Sequence, residues 1–329
     1  MNLSRRHLLG AAVVSATASN FPLAFAQAQD YPSRPIRMLV PNPPGGGTDT
    51  MARILVPSLS TQLGQSVVVE GRVGGSGFVA VNSLLQAPAD GYTLLLVYSG
   101  ILTVNPSVFK GTIRYDPLND FSIVAPVAEV PTVLLVNSSL PVKNVSELIA
   151  LAKSQPGKLS YASSGNGVSS HLAMELLKQM AGVDLTHIPY RGDAPALVDL
   201  LAGHVQVAFA NMATASPHLN NPKLRVLAVA TDKRLPILPD VPTIAESGLP
   251  GYEMKLWYGI IAKAGTPPAI VDKLNAAVRT AQDSQEAKDR FAAMGATTLV
   301  QSRVEFQNTI RQDLQKWTQV VEKAHITVD

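Results

Sequence analysis

The residues best placed to do chemistry form one short run, Pro43-Pro44-Gly45-Gly46-Gly47-Thr48-Asp49, set between the apolar stretch Ile36–Val40 and a helical pattern beginning near Thr48. Consecutive glycines let backbone N–H groups approach a ligand closely, and a helix N-terminus adds partial positive charge. Such a loop is a neutral receptor for an anion, either a carboxylate or a phosphate. Asp49 reads two ways, as a holder of a ligand amine or hydroxyl and as an acid that stabilises the first helical turn. A second loop repeats the grammar. Ser163, Ser164, Gly165, Asn166 and Gly167 lead from a short strand into a helix that Ser169 or Ser170 can cap, with His171 in its first turn. Two such loops point to a pair of α/β lobes aiming helix N-termini at a shared cleft, because ligands of open α/β sheets bind beyond the carboxyl ends of strands. Binding and catalysis are not separated by this pattern.

Other motifs narrow the chemistry. Gly75-Ser76-Gly77-Phe78-Val79-Ala80 fits G-x-G-x-x-A, but the following strand ends in Ser99-Gly100 with no acid to hold a ribose. The run reads as a tight turn into a helix, with Ser76 at the cleft. There is neither a phosphate-binding G-x-x-x-x-G-K-[ST] nor a G-x-S-x-G nucleophile elbow. Ser163 and its neighbours lie close in sequence to His171, which keeps a serine hydrolase as a rival reading, although a triad is recognised by geometry. The histidines at 7, 171, 187, 204, 218 and 325 form no ligand-spaced set, and there are no cysteines. Neither a metal site nor a cofactor is implied. Arg72 and Arg191 stand in glycine-containing loops, but neither principal loop holds an arginine.

The elements that must position these residues alternate along the chain, which argues for sheets covered by helices. Strands are expected at 36–40, 66–70, 92–98, 123–128, 132–136, 159–162, 185–188, 205–209, 224–229 and 255–261. Helices are expected at 49–62, 77–86, 145–154, 169–181, 195–202, 267–282, 285–293 and 303–324. Asn144 with Glu147 and Ser302 with Glu305 read as capping pairs, and Thr266-Pro267 as an N-cap followed by a first-turn proline. Gly182, Gly203 and Gly295 stand where left-handed helix ends are needed. Phe306, Ile310, Leu314, Trp317 and Val321 make an apolar stripe, so Trp317 is read as core.

Residues 1–26 carry Arg5-Arg6, an apolar run and Ala24-Phe25-Ala26, the features of a removed secretory signal. Ser4-Arg5-Arg6-His7-Leu8-Leu9 resembles a twin-arginine signal, with an ordinary Sec signal as the alternative. The formal net charge of +3 falls further once those arginines are removed, and no basic run with interleaved aromatics is present. No nucleic-acid partner is expected.

With these loops in view the chain resembles the Bug family, the periplasmic solute-binding proteins of tripartite tricarboxylate transporters. The likeness is carried by Val40-Pro41 leading to Pro44-Gly45-Gly46 and Asp49, by Gly74-Gly75-Ser76-Gly77, by Ala89-Asp90-Gly91-Tyr92 and by Asn105-Pro106. It continues through Pro156-Gly157-Lys158-Leu159, Tyr161-Ala162-Ser163, His171-Leu172-Ala173, Pro189-Tyr190-Arg191-Gly192, Pro195-Ala196-Leu197, Pro242-Thr243 and Trp257-Tyr258-Gly259. The resemblance implies a two-lobed periplasmic-binding-protein architecture, each lobe a mainly parallel sheet flanked by helices. Two crossing segments, near 129–136 and 252–260, would divide the chain into lobe one (30–131 plus 254–329) and lobe two (132–253). It implies a carboxylate gripped by Pro43 to Asp49 from one side and by Ser163 to Ser169 from the other, partly through water; Ser99, Asn211 and Tyr258 are read as further cleft residues because each follows or ends a strand facing the expected cleft. The partners implied are a small carboxylate and the subunits of a membrane transporter, the chain itself acting as a monomer without catalysis. A sensor subunit serving a signalling kinase is the alternative role. Asn42-Pro43-Pro44 departs from the aromatic-and-alanine lead-in expected before the glycines.

Overall fold

The computed structural model describes residues 31–324 and Ile326. The expected signal segment lies outside them. Eleven strands are found among the described residues. They are β1 (Ile36–Val40), β2 (Val67–Gly71), β3 (Thr93–Tyr98), β4 (Phe121–Val130), β5 (Thr132–Asn137), β6 (Ser160–Ser163), β7 (Thr186–Pro189), β8 (Val207–Asn211), β9 (Leu224–Val229), β10 (Leu256–Lys263) and β11 (Thr297–Thr298). The helices between them are α1 (Gly47–Leu63), α2 (Phe78–Gln86), α3 (Ser99–Thr103), α4 (Asn105–Val108), α5 (Val145–Ser154), α6 (Ser169–Ala181), α7 (Asp193–Ala202), α8 (Met212–Ala215), α9 (Pro268–Asp283), α10 (Gln285–Ala293) and α11 (Arg303–Lys323).

The strands form two sheets, ordered β11-β4-β10-β3-β1-β2 and β7-β6-β8-β5-β9. The two-lobed α/β architecture is as expected, but each sheet is mixed rather than mainly parallel. β1 runs parallel to β2 and β3, while β10 runs antiparallel to β3 and β4. In the second sheet β6 is parallel to β7 and β8, and β5 is antiparallel to β8 and β9. The strands that carry the chain between sheets account for the mixture.

Direction decides where the loops meet. β4 passes into β5 through the single residue Pro131, whose carbonyl accepts the Met212 amide at 2.8 Å. β4 points the same way as β1 and β3, since β10 opposes both β3 and β4, so their carboxyl ends lie at the crossing. β5 starts there and β8 opposes it, so β8 ends at the crossing, together with its parallel neighbour β6. The loops after β1, β3, β6 and β8 are thereby collected at one boundary. The return path runs through 230–255, where the Met254 amide bonds the Ala230 carbonyl at 2.8 Å, and enters β10.

Most terminal signals operate as expected. Asn144 Oδ1 accepts the Glu147 amide at 2.8 Å, and Ser302 with Glu305 makes a reciprocal capping box. Gly182, Gly203 and Gly295 have φ of 62°, 84° and 64°. Two expectations shift. The cap of α9 is Pro267, and Thr266 Oγ1 instead donates to the Lys263 carbonyl at 2.8 Å. Val168 caps α6 without a side-chain bond, since Ser170 Oγ is used by the Ser164 amide at 2.9 Å.

Helix α11 belongs to both cores. Phe306 and Ile310 pack with Leu39, Leu95 and Trp257 beside the first sheet. Trp317, Val320 and Val321 pack with Leu134, Tyr161 and Phe209 beside the second. Gln179 of α6 donates to the Val320 carbonyl at 3.0 Å, and Ser107 shares a 2.7 Å hydrogen bond with Thr318. Trp317 is 1% exposed, and removing a side chain of that size from a core typically costs 3–5 kcal/mol. Trp317→Ala is therefore expected to lower unfolding stability by about that amount in a urea titration.

Candidate functional site

The loop after β1 is tighter than three free glycine amides would require. The Gly45 amide donates to Asp49 Oδ2 at 2.9 Å and the Gly46 amide to the Pro43 carbonyl at 2.9 Å. Asn42 Oδ1 accepts both the Thr48 amide, at 3.3 Å, and the Thr48 hydroxyl, at 2.7 Å. Asn42, the first residue to depart from the family pattern, thus caps α1 from outside it. Among the described residues the Gly47 amide takes no partner, nor does that of Asp49, so the Gly47 N–H, at the cleft wall, is available to an anion. A Cβ at Gly47 would sit 2.4 Å from the Tyr258 hydroxyl. That proximity forces glycine there.

Asp49 is 3% exposed, and Arg53 Nε reaches its Oδ2 at 2.9 Å. This bond, with the Gly45 amide, holds the Asp49 carboxyl below the usual aspartate range against the opposing effect of burial. Thr48 and Asp49 therefore face inward and spend their groups on the loop itself. Pro43 is exposed and contributes its carbonyl to the turn.

The loop after β6 is organised from behind by histidines. Ser163 has no exposed surface; its Oγ meets the Gly165 carbonyl at 3.0 Å and His187 Nε2 at 2.5 Å. The Gly167 amide donates to His171 Nδ1 at 3.0 Å, and the His171 and His187 rings stack at 3.9 Å. Tyr161 stacks on His187 at 4.8 Å and donates to Glu175 at 2.7 Å, which also takes Lys178 at 2.8 Å. Ser163 thus pairs with His187 rather than His171, deep in the lobe and out of reach of a substrate. This ring stack is scaffolding for the loop.

Between the lobes lies a cleft of about 420 Å³, within the range typical of small-molecule sites. Of the expected residues, Gly45, Gly46, Gly47, Ser164, Ser169, Asn211 and Tyr258 line it. Ser76, Ser99, Asn166 and Gly167 line a neighbouring cavity of about 30 Å³, which also meets Ser169 and shares Tyr98 and Val168 with the cleft. That is room for about one or two waters. Pro43, Thr48, Asp49, Ser163, Gly165 and His171 line neither. Ser76 has φ of 53° and its carbonyl accepts from Asn105 at 2.9 Å, so its main role here is in the turn.

Sequence reasoning missed Asn42, Thr50, Tyr98, Gly192 and Asp193 as cleft residues. Gly192, with φ of 114°, precedes α7 directly after β7 and follows the same strand–glycine–helix grammar as the two principal loops. That was the available signal. Asp193 Oδ2 accepts Asn211 Nδ2 at 2.7 Å, and burial raises the Asp193 carboxyl although Ser164 and Asn211 act the other way. Burial also raises the Tyr258 hydroxyl, which stays protonated and able to donate at neutral pH. Among the described residues no lysine, arginine or histidine lines the cleft.

Comparison with known proteins places these observations. The profile of the tripartite tricarboxylate transporter family receptor matches residues 51–326. Protein BugT of Bordetella pertussis is 39% identical over 295 residues, 89% of this chain and 90% of that protein. The solved structure of Rhodopseudomonas palustris Rpa4515 with adipate has a TM-score of 0.80 at 39% identity, covering 91% of this chain and all of that one. MatC from Rhodopseudomonas palustris with bound malate has a TM-score of 0.77 at 33% identity, covering 88% of this chain and all of that one.

Two outcomes follow from the geometry. Gly47→Ala should weaken ligand binding at least tenfold by isothermal titration, because its Cβ would overlap the Tyr258 hydroxyl, and Tyr258→Phe should weaken binding by removing a donor while leaving that position free of overlap. His171 and His187 are both pushed down to about 4, chiefly by burial, against about 6.5 in an unfolded chain. The unfolded state then binds more protons between these values, so stability held above pH 6.5 is lost as pH falls towards 4. Melting temperature should drop across that interval, and His187→Gln should make the drop shallower.

Proposed function

The chain belongs to the family of tripartite tricarboxylate transporter receptors, and from that premise we propose that it captures a small carboxylate between two lobes and delivers it to a membrane transporter of that type. It is a solute-binding receptor, not an enzyme. The observation that carries the reading is the interlobe cleft onto which both glycine loops open, with protonated or neutral donors at its wall and, among the described residues, no reactive pair exposed to it. The Gly47 amide, the Tyr258 hydroxyl and Ser169 at the start of α6 supply hydrogen bonds for one carboxylate. The adjoining polar cavity supplies water-bridged ones, nearly as favourable as direct contacts. Relatives whose solved structures hold adipate and malate support a carboxylate as the class of cargo.

Lobe one is 30–131 with 254–329, and lobe two 132–253. They close on the ligand by rotation about Pro131 and the segment entering β10, a hinge motion driven only by the ligand's greater affinity for the closed form. The chain works in the periplasm as a monomer, exported by its arginine-containing signal. No helix among the described residues is long and apolar enough to cross a membrane.

A thermal-shift screen of purified protein against mono-, di- and tricarboxylates tests the reading. A ligand at about 1,000 times its Kd adds about 4 kcal/mol of stability, which raises the melting temperature by several degrees. At least one small carboxylate should do so, and deletion of the gene should abolish its uptake. A flat response to every carboxylate would overturn the proposal.

A further inference from the structure

Strand alternation at the crossing sorts its residues onto two faces. Val130 of β4 and Leu256 and Tyr258 of β10 line the cleft. Glu129 and Trp257, opposite each other in the β4–β10 ladder, therefore point the other way, towards α11. There Trp257 meets Phe306 edge to face at 4.9 Å and donates from Nε1 to Asp313 Oδ2 at 2.7 Å. One turn along α11, Lys316 donates to the Glu253 carbonyl on the return path. Lys255, just before β10, pairs with Glu253 at 2.5 Å and lies 3.9 Å from Asp232. The floor of the cleft is thus backed by a charged layer that joins both strand crossings to α11.

That layer is short of cations. Among the described residues the carboxyls of Glu129, Asp232, Glu253 and Asp313 share the ammonium groups of Lys255 and Lys316. β11, the other neighbour of β4, brings the uncharged Thr297 opposite Glu129. Burial raises the Glu129 carboxyl; Lys255 opposes this, while Asp232, Glu253 and Asp313 act with it. Burial likewise raises Asp313, against the Trp257 indole and Lys316, and it lowers Lys316 itself. A carboxyl raised in one arrangement holds its proton more tightly there than in a looser one that admits water. The proton therefore favours the tight layer. That preference is complete below the ordinary glutamate value of 4.5 and is lost as pH rises through the raised one.

Resting on the lobe rotation proposed above, we propose that this layer is a proton-sensitive brake on the hinge. With Glu129 protonated, α11 sits tight against both crossings and the lobes are held. With Glu129 ionised, the mutually repelling carboxylates loosen the layer and free the lobes to rotate. None of these groups lines the cleft, so the device sets how readily the lobes move and leaves the choice of cargo to the other face of the same strands.

The chain has no cysteine, so two introduced ones give unique labelling sites. Spin labels at Gln62→Cys on α1 and Lys153→Cys on α5, both exposed, report the distance between the lobes by double electron–electron resonance with no ligand added. From about pH 5 to about pH 8 the distance distribution should broaden by at least about 2 Å. Glu129→Gln keeps the shape of the protonated side chain and cannot ionise, so its distribution should stay narrow at both ends. His171, His187 and Asp193 titrate in that variant as in the parent, so the difference between the two isolates Glu129. Asp313→Asn keeps an acceptor for the Trp257 indole and removes one repelling charge, which should move the midpoint of the broadening to lower pH by about half a unit or more. A distribution independent of pH in the labelled parent overturns the proposal, as does broadening that survives in Glu129→Gln. If Glu129→Gln does not fold, an unmoved midpoint in Asp313→Asn overturns it instead. Since no carboxylate is added, a negative result leaves the receptor reading standing, and a flat carboxylate screen leaves this measurement untouched.

Discussion

One residue separates the last residue of β4 from the first of β5, and the geometry of the site follows from that short crossing. Pro131 cannot donate a backbone hydrogen bond, and its ring fixes φ, so the chain leaves one sheet and enters the other with little freedom to reorient. Because β5 then opposes β8, the second lobe presents the carboxyl ends of β6 and β8 to the carboxyl ends of β1 and β3. A crossing in the other sense would have turned one set of loops to solvent. The facing of two glycine loops is thus a matter of strand polarity before it is a matter of any side chain.

Once the loops face each other, recognition is left mainly to dipoles. The first loop uses most of its own amides to hold its shape: Asn42 caps Thr48, Asp49 takes Gly45 and Pro43 takes Gly46. The second is braced by neutral, stacked imidazoles that burial keeps uncharged at neutral pH. Rigid loops that have already satisfied themselves present few free donors, but present them in a fixed place. A preorganised site loses less entropy on binding than one that must be assembled.

Much of this was legible in the sequence. Periodicity and caps read α5, α6 and α10 to the residue, since each has a clear apolar face and a polar or glycine terminus. The short α3, α4 and α8 and the two-residue β11 were not legible, because elements of that length have no periodicity to display and exist by virtue of tertiary packing. The candidate site divides along a similar line. Glycines and strand ends announce where the chain turns towards a cleft, so Gly47, Ser169, Asn211 and Tyr258 were readable. Which way Thr48, Asp49 and His171 point depends on partners such as Asn42, Arg53 and His187, and those pairings are set by folding rather than by spacing. Asp193 was hidden for the opposite reason: a lone acid at a helix start looks like dipole chemistry until its bond to Asn211 is seen.

Helix α11 puts Phe306 and Trp317, one at each end of the same rod, into different cores. Neither lobe can shed its share of that helix without exposing large apolar surface that the other lobe helps to cover. The two halves are therefore coupled in unfolding, and the protein should behave as one cooperative unit despite its two sheets. In the folded state a rotation between lobes of the kind proposed would have to bend or slide that continuous helix. The free energy of opening the cleft then depends on the stiffness of α11 as well as on the two strand crossings.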